Sequence, residues 1–195
     1  MAVTVLVLEH NPVARSFLCK VVRESFSDAL DILEAGDVNH ARRLLAAPGQ
    51  LAPQLVLIDL ELPEGDGPAL LSEPATRAAT RIVTTLFADD EHLYPALLAG
   101  AQGYLLKEDR FEVLVEALQR IARGQPPLSP AIARRLVTHF RDLPNPQAAL
   151  STREAEVLAH LSKGFTHKEI ASLMGLKLGA VNEQILAIYR KMGAR

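Results

Sequence analysis

The sequence lacks a second cysteine: Cys19 stands alone in 195 residues, so no internal disulfide can form. A single thiol is most simply a packed residue of the first helix, and it fits a reducing, cytoplasmic setting. Long apolar runs are missing too. No stretch approaches the roughly 20 residues needed to span a bilayer, and no basic leader precedes the first apolar run, Val3–Leu8. Membrane insertion and a secretory signal are therefore not expected. Internal repeats and low-complexity tracts are absent as well. Neither sign of charge dominates, since the formal net charge is −2, but the near-balance hides a division. Residues 1–147 hold 14 Lys/Arg against 19 Asp/Glu, whereas residues 148–195 hold 7 against 4. The C-terminal segment is the better candidate for touching nucleic acid, although so small an excess also suits an ordinary mixed surface.

What is present is the composition of a globular protein, with 49% hydrophobic and 23% charged residues, in a length that suits one sizeable domain or two small ones. Short apolar runs alternate with helix-period segments through the first 123 residues. The runs are Val3–Leu8, Leu30–Leu33, Leu55–Ile58, Ile82–Phe87 and Gly103–Leu106. This alternation predicts βα units wound into a five-stranded parallel sheet. Asn11 and Pro12 read as the N-cap and first-turn proline of the first helix, with Val13, Phe17, Val21, Leu18 and Val22 as its apolar face. Phe111, Leu114, Val115, Leu118 and Ile121 form a stripe at helical spacing that should dock on the sheet.

Asp59 ends the run Leu55–Ile58 and is followed by the turn-rich Leu62-Pro63-Glu64-Gly65-Asp66-Gly67; Lys107 ends the run Gly103–Leu106. A carboxylate and a cation delivered to the mouths of buried parallel strands can converge on one site. Either residue alone would be ordinary, the one a loop carboxylate and the other a solvated lysine. Together they point to a phosphoryl-accepting site.

Gly124-Gln125-Pro126-Pro127 interrupts the pattern, Ser129-Pro130 starts a helix through Ile132, Leu136 and Val137 to Phe140, and Pro144-Asn145-Pro146 stops it. A linker is placed at 124–149, between a domain at 1–123 and another at 150–195. Ser151-Thr152-Arg153-Glu154 has capping-box spacing and opens a helix carrying Val157, Leu158 and Leu161 to Gly164. A second helix begins near Thr166 or His167 and ends at Gly175; a third runs from about Leu178 to Met192. Short helix, glycine turn and longer helix describe a helix-turn-helix, or equally a small bundle that binds protein.

These segments resemble the NarL/FixJ type of bacterial response regulator, a receiver domain followed by a LuxR-type helix-turn-helix. The likeness is carried by Leu57-Ile58-Asp59-Leu60-Glu61-Leu62-Pro63 with Gly65-Asp66-Gly67, Ala99-Gly100-Ala101-Gln102-Gly103-Tyr104-Leu105-Leu106-Lys107, Leu128-Ser129-Pro130, Leu150-Ser151-Thr152-Arg153-Glu154-Ala155-Glu156-Val157-Leu158 and Lys168-Glu169-Ile170-Ala171. The resemblance implies a flavodoxin-like, doubly wound α/β receiver and a small all-α DNA-binding domain. It further implies a phosphoryl group taken from a histidine kinase, with Asp59 at the phosphoacceptor position, Lys107 at the position of the phosphoryl-pairing lysine and Tyr104 at that of the switch aromatic.

Other positions depart from the family's pattern. Glu9-His10 stands where the family has an acidic pair, and alignment of the fourth strand puts Leu86 where it has Thr or Ser, or Thr85 after a one-residue slip. Mg²⁺ favours hard oxygen ligands, so Glu9 and Asp59 with His10 should hold it weakly at best. The receiver is therefore expected to accept phosphate poorly, with His10 a solvated residue or a pH- or metal-responsive one.

In the third C-terminal helix, Ala180-Val181-Asn182-Glu183-Gln184 replaces the usual Thr-Val-Lys-x-His. Lys168, Lys177, Arg190 and Lys191 are left as phosphate anchors, with Asn182, Glu183 and Gln184 as altered base readers. The family's fourth helix, which supports dimerisation, would lie beyond Gly193-Ala194-Arg195. The expectation is a cytoplasmic DNA-binding regulator, not an enzyme, with weak or altered DNA specificity and a receiver-mediated homodimer or other protein partner. The competing expectation is an adaptor that docks through Tyr104–Ile121 and does not bind DNA.

Overall fold

A computed structural model of the chain describes residues 3–26, 30–63, 67–86, 90–142 and 149–192. The expected features at Gly65-Asp66, Phe87, Pro144-Asn145-Pro146 and Gly193-Ala194-Arg195 lie outside the described residues. Five parallel strands form one sheet: β1 Val3–Leu8, β2 Leu30–Ala35, β3 Leu55–Asp59, β4 Thr80–Thr85 and β5 Gly103–Leu106, in the order β2-β1-β3-β4-β5. The expected doubly wound fold is what forms. All of β3 and the last five residues of β1 are buried, as parallel strands covered on both faces must be.

Two strands differ from their apolar runs. β2 continues through Glu34 and Ala35 because these pair with Val7 and Leu8 of β1. β4 begins at Thr80, whose amide donates to the Gln54 carbonyl, and ends at Thr85, because the Leu86 amide leaves the ladder for the Glu61 side chain. Apolarity marks the middle of a strand; hydrogen bonding sets its ends.

Along each strand, alternate side chains feed opposite faces. On one face Val5, Val7, Leu57, Ile82 and Leu105 pack against α1, Pro12–Ser25, and α5, Phe111–Ala122. Leu18, Val21 and Val22 of α1 are buried there, while Val13 is 77% exposed and does not join the stripe expected of it. Asn11 caps α1 by accepting from the amides of Val13 and Ala14, so the helix must begin one turn before it reaches the sheet.

The other face bears α2 Val38–Leu45, α3 Gly67–Leu71 and α4 Asp90–Leu98. Its core continues through the linker helix α6, Pro130–Arg141, into the helices α7 Thr152–Ser162, α8 His167–Leu173 and α9 Leu178–Met192. Ser151 and Thr166 each form a complete capping box, with Glu154 and Glu169 respectively. Gly164 and Gly175 make the turns between these helices at φ 93° and 64°, where a Cβ would be strained. Met192, Ile188, Ile185 and Val181 fill the core at the spacing expected of them. Among the described residues no helix is long and apolar enough to cross a membrane.

Candidate functional site: a charged cluster at the strand ends

In a parallel sheet the crevice opens beyond the carboxyl ends of the strands, on either side of the point where the winding reverses. Here β1 lies between β2 and β3, so the reversal falls at β1/β3. Glu9 and His10 follow β1, Asp59 ends β3, Thr85 ends β4 and Lys107 follows β5. The topology alone brings them together.

Lys107 Nζ lies 2.5 Å from Asp59 Oδ1, 2.8 Å from Glu9 Oε2 and 3.0 Å from Glu61 Oε2. Asp59 and Glu9 are fully buried and the Lys107 side chain is 11% exposed, so solvent screens little of this. Asp59 Oδ1 also accepts from the Glu61 amide at 2.9 Å, and Oδ2 meets His10 Nδ1 at 2.7 Å. Burial acts to raise the Asp59 pKa, but donation from Lys107, His10 and the Glu61 amide outweighs it and holds the carboxyl at about 2. Glu9 goes the other way: burial prevails over Lys107 and the Asn11 amide and raises its pKa. Lys107 is pushed down by burial and up by its three carboxylates, and the carboxylates win. A buried cation with three anionic neighbours is a charge-holding site.

Asp59 and Lys107, joined only by inference in the sequence, are in direct contact. One member of the cluster was missed. Glu61 binds Lys107 and also accepts from the Thr85 hydroxyl at 2.5 Å and the Leu86 amide at 3.1 Å. Its signal was its place two residues after Asp59, on the same side of an extended chain. Of the two residues expected at the end of β4, Leu86 is corrected and Thr85, the alternative, is the one at the site. The Leu86 side chain is half exposed, and Thr85, one residue earlier, is fully buried and brings a hydroxyl to the cluster. Asp59 pairs in register with Thr84 and Leu106 with Thr85, after which the Leu86 amide turns to the Glu61 carboxylate. Tyr104 is partly buried, packed against the core on the α4 side.

For a metal, Glu9, His10 and Asp59 offer ligand atoms within 4.8 Å of one another. Two carboxylates and an imidazole are a poor set for Mg²⁺, which dehydrates reluctantly and favours oxygen. The same set suits zinc and its neighbours.

The second candidate region is α8–α9. Lys168, Lys177, Glu183 and Arg190 are exposed and Gln184 is half-buried. Asn182 is not available to read a base: it is 5% exposed and its Oδ1 lies 3.0 Å from His167 Nδ1. Burial lowers the His167 pKa against the opposing pull of Asn182. Lys191 is likewise committed, 2.6 Å from Glu154 and 2.9 Å from the Ala149 carbonyl, so it braces α7. Arg190 lines a cleft with Thr80, Gln102 and Ile121, and its Nε donates to the Leu186 carbonyl one turn back at 3.2 Å. Helical period placed these residues on α9; only packing shows which way each one looks.

Comparison with known proteins finds two family matches along the chain. Residues 5–119 match the family described as "Response regulator receiver domain", and residues 148–195 match "Bacterial regulatory proteins, luxR family". The chain is 32% identical over 182 residues to the transcriptional regulatory protein YhcZ of Bacillus subtilis (strain 168), covering 89% of this chain and 83% of that protein. It is 29% identical over 200 residues to the transcriptional regulatory protein LiaR of the same organism, covering 97% and 90%. The RcsB response regulator of Salmonella typhimurium, solved in a study of its DNA interaction, shares the fold with a TM-score of 0.54 at 21% identity over 98% of this chain and 92% of that one.

Proposed function

The chain belongs to the bacterial response regulators of the LuxR family, DNA-binding transcription regulators of two-component systems, and from that membership we propose that its receiver is atypical and is controlled without ordinary Mg²⁺-dependent phosphorylation of Asp59. The single observation that carries this reading is His10 Nδ1 at 2.7 Å from Asp59 Oδ2, an imidazole where a metal-binding carboxylate would be needed. The metal neutralises charge that develops in phosphoryl transfer, so a weakened cradle slows the step. Thr85 supplies a hydroxyl, so the deficit lies with the metal ligands. We assign the receiver to 1–123, the linker to 124–149 and the DNA-binding domain to 150–195. Lys168 and Lys177 serve as phosphate anchors and Gln184 as a base reader, with Glu183 lowering affinity. A histidine kinase or another protein, and a second copy through the receiver, are the partners this reading implies.

The test is labelling of Asp59 by acetyl phosphate with Mg²⁺. Wild type should label slowly and incompletely, and His10→Asp should label faster. Stable, stoichiometric phosphorylation of the wild type would end the proposal. DNA binding by the full chain is read by anisotropy across salt; removing Lys168 or Lys177 should lower the salt slope by about one unit each.

A further inference from the structure

We propose that Glu9, His10 and Asp59 form a site for Zn²⁺ in place of the Mg²⁺ of an all-carboxylate receiver. The inference deepens the reading above, since it treats the same cluster as a metal cradle whose selectivity has changed.

The ligand atoms are Glu9 Oε1, His10 Nδ1 and Asp59 Oδ2. Nδ1 lies 2.7 Å from Oδ2 and 3.3 Å from Oε1. Two ligands each about 2.1 Å from one ion stand about 3.0 Å apart at a right angle and about 3.4 Å apart at the tetrahedral angle. The His10–Glu9 edge already falls in that range. The His10–Asp59 edge, now closed by a hydrogen bond, needs to open by a few tenths of an ångström. The imidazole then carries its proton on Nε2 and gives the Nδ1 lone pair to the ion.

The two carboxylates are held ready. Glu9 Oε1 accepts from the Asn11 amide at 2.9 Å, and Lys107 takes Glu9 Oε2 and Asp59 Oδ1. Oxygens fixed on one side leave Oε1 and Oδ2 aimed at His10. Its side chain, 39% exposed, gives the ion a route from solvent. Charge favours a dication as well. Three carboxylates meet one ammonium, so the cluster retains excess negative charge in a place where burial makes it costly. Either Mg²⁺ or Zn²⁺ would relieve that excess; the imidazole decides between them, because nitrogen suits zinc and Mg²⁺ keeps its waters. With three protein ligands, a fourth position remains for water or a phosphoryl oxygen.

The test uses the full chain, titrated calorimetrically with Zn²⁺ and with Mg²⁺, and with Co²⁺ as a visible-absorption probe. The expected result is one strong Zn²⁺ site per chain, Zn²⁺ bound at least about 100-fold tighter than Mg²⁺, and a Co²⁺ band that Zn²⁺ displaces. His10→Ala should weaken Zn²⁺ by about tenfold or more, since even outer-shell partners command that much, with circular dichroism unchanged. His10→Asp should reverse the preference toward Mg²⁺. A Co²⁺ band that survives His10→Ala would put the ion on another of the 6 histidines and overturn the site, as would Mg²⁺ binding as tightly as Zn²⁺. Acetyl phosphate labelling is scored separately, so a receiver that labels well with Mg²⁺ sinks the regulatory reading, while loss of the Zn²⁺ site sinks only this one.

Discussion

Lys107 is the residue on which the cluster turns, because among the described residues it is the one ammonium within ion-pair distance of Glu9, Asp59 and Glu61. Removing one partner of a buried ionic group leaves uncompensated charge, which costs about 3–5 kcal/mol. Lys107→Ala should lose stability on that scale at pH 7 by urea denaturation, and the deficit should shrink at pH 5, where Glu9, already raised by burial, protonates more readily still. The wild type carries a different pH signature. The folded-state pKa of Asp59 is depressed from 3.8 to about 2, so its contribution is fully present above pH 4 or so and is lost as pH falls through that window toward 2. Asp59→Asn should flatten the stability profile there; a profile unchanged by the substitution would mean that Asp59 is not ionically held. Asp59 and Lys107 were legible because each closes an apolar run. The choice between Thr85 and Leu86 was left open, because where β4 stops depends on the Glu61 carboxylate, which no local pattern announces.

The elements that hold the site depend on a few tight positions. A Cβ at Gly67 would lie 2.7 Å from the Asp59 carbonyl oxygen, backbone against which α3 cannot yield cheaply. Gly67→Ala should therefore push α3 off the end of β3 and cost about 1–3 kcal/mol, the usual toll of overpacking. The measurements are the urea midpoint and the Asp59 labelling rate; a variant as stable as wild type would show that the turn has room. In the C-terminal domain, Ser151→Ala and Thr166→Ala should each cost about 1 kcal/mol by removing one half of a capping box. The box at Ser151 was readable because its two residues are three apart in sequence. Helix ends written in neighbouring residues can be read; strand ends written in distant partners cannot.

At the scale of the molecule, the charged cluster and α9 lie at opposite ends of the sheet. Thr85 closes β4 at the cluster, whereas Thr80 opens β4 beside Arg190 of α9. At about 3.3 Å per residue the strand separates them by roughly 17 Å. The Tyr189 hydroxyl donates to the Pro127 carbonyl and so ties α9 to the linker. Tyr94 of α4 lies under the Arg135 guanidinium at 4.6 Å and edge-on to His139 at 5.7 Å, which ties α6 to the receiver. None of this was visible in the sequence, because Tyr94 and Arg135 stand 41 positions apart with no shared period. Lys191 is held by Glu154, whereas Arg190 and Lys168 are exposed and each lines a cleft beside the receiver, Arg190 with Thr80 and Ile121 and Lys168 with Ala117 and Arg120. If DNA selects an arrangement in which α9 is released, every contact that exists only in the docked arrangement opposes binding by its own free energy. Tyr94→Ala should then tighten DNA binding by the full chain, tenfold for about each 1.4 kcal/mol of docking lost, with Lys168→Ala still weakening it in the same background. Anisotropy at fixed salt measures both. An unchanged affinity in Tyr94→Ala would mean that α9 reads DNA while docked, and that the Tyr94 contact with α6 does not oppose binding.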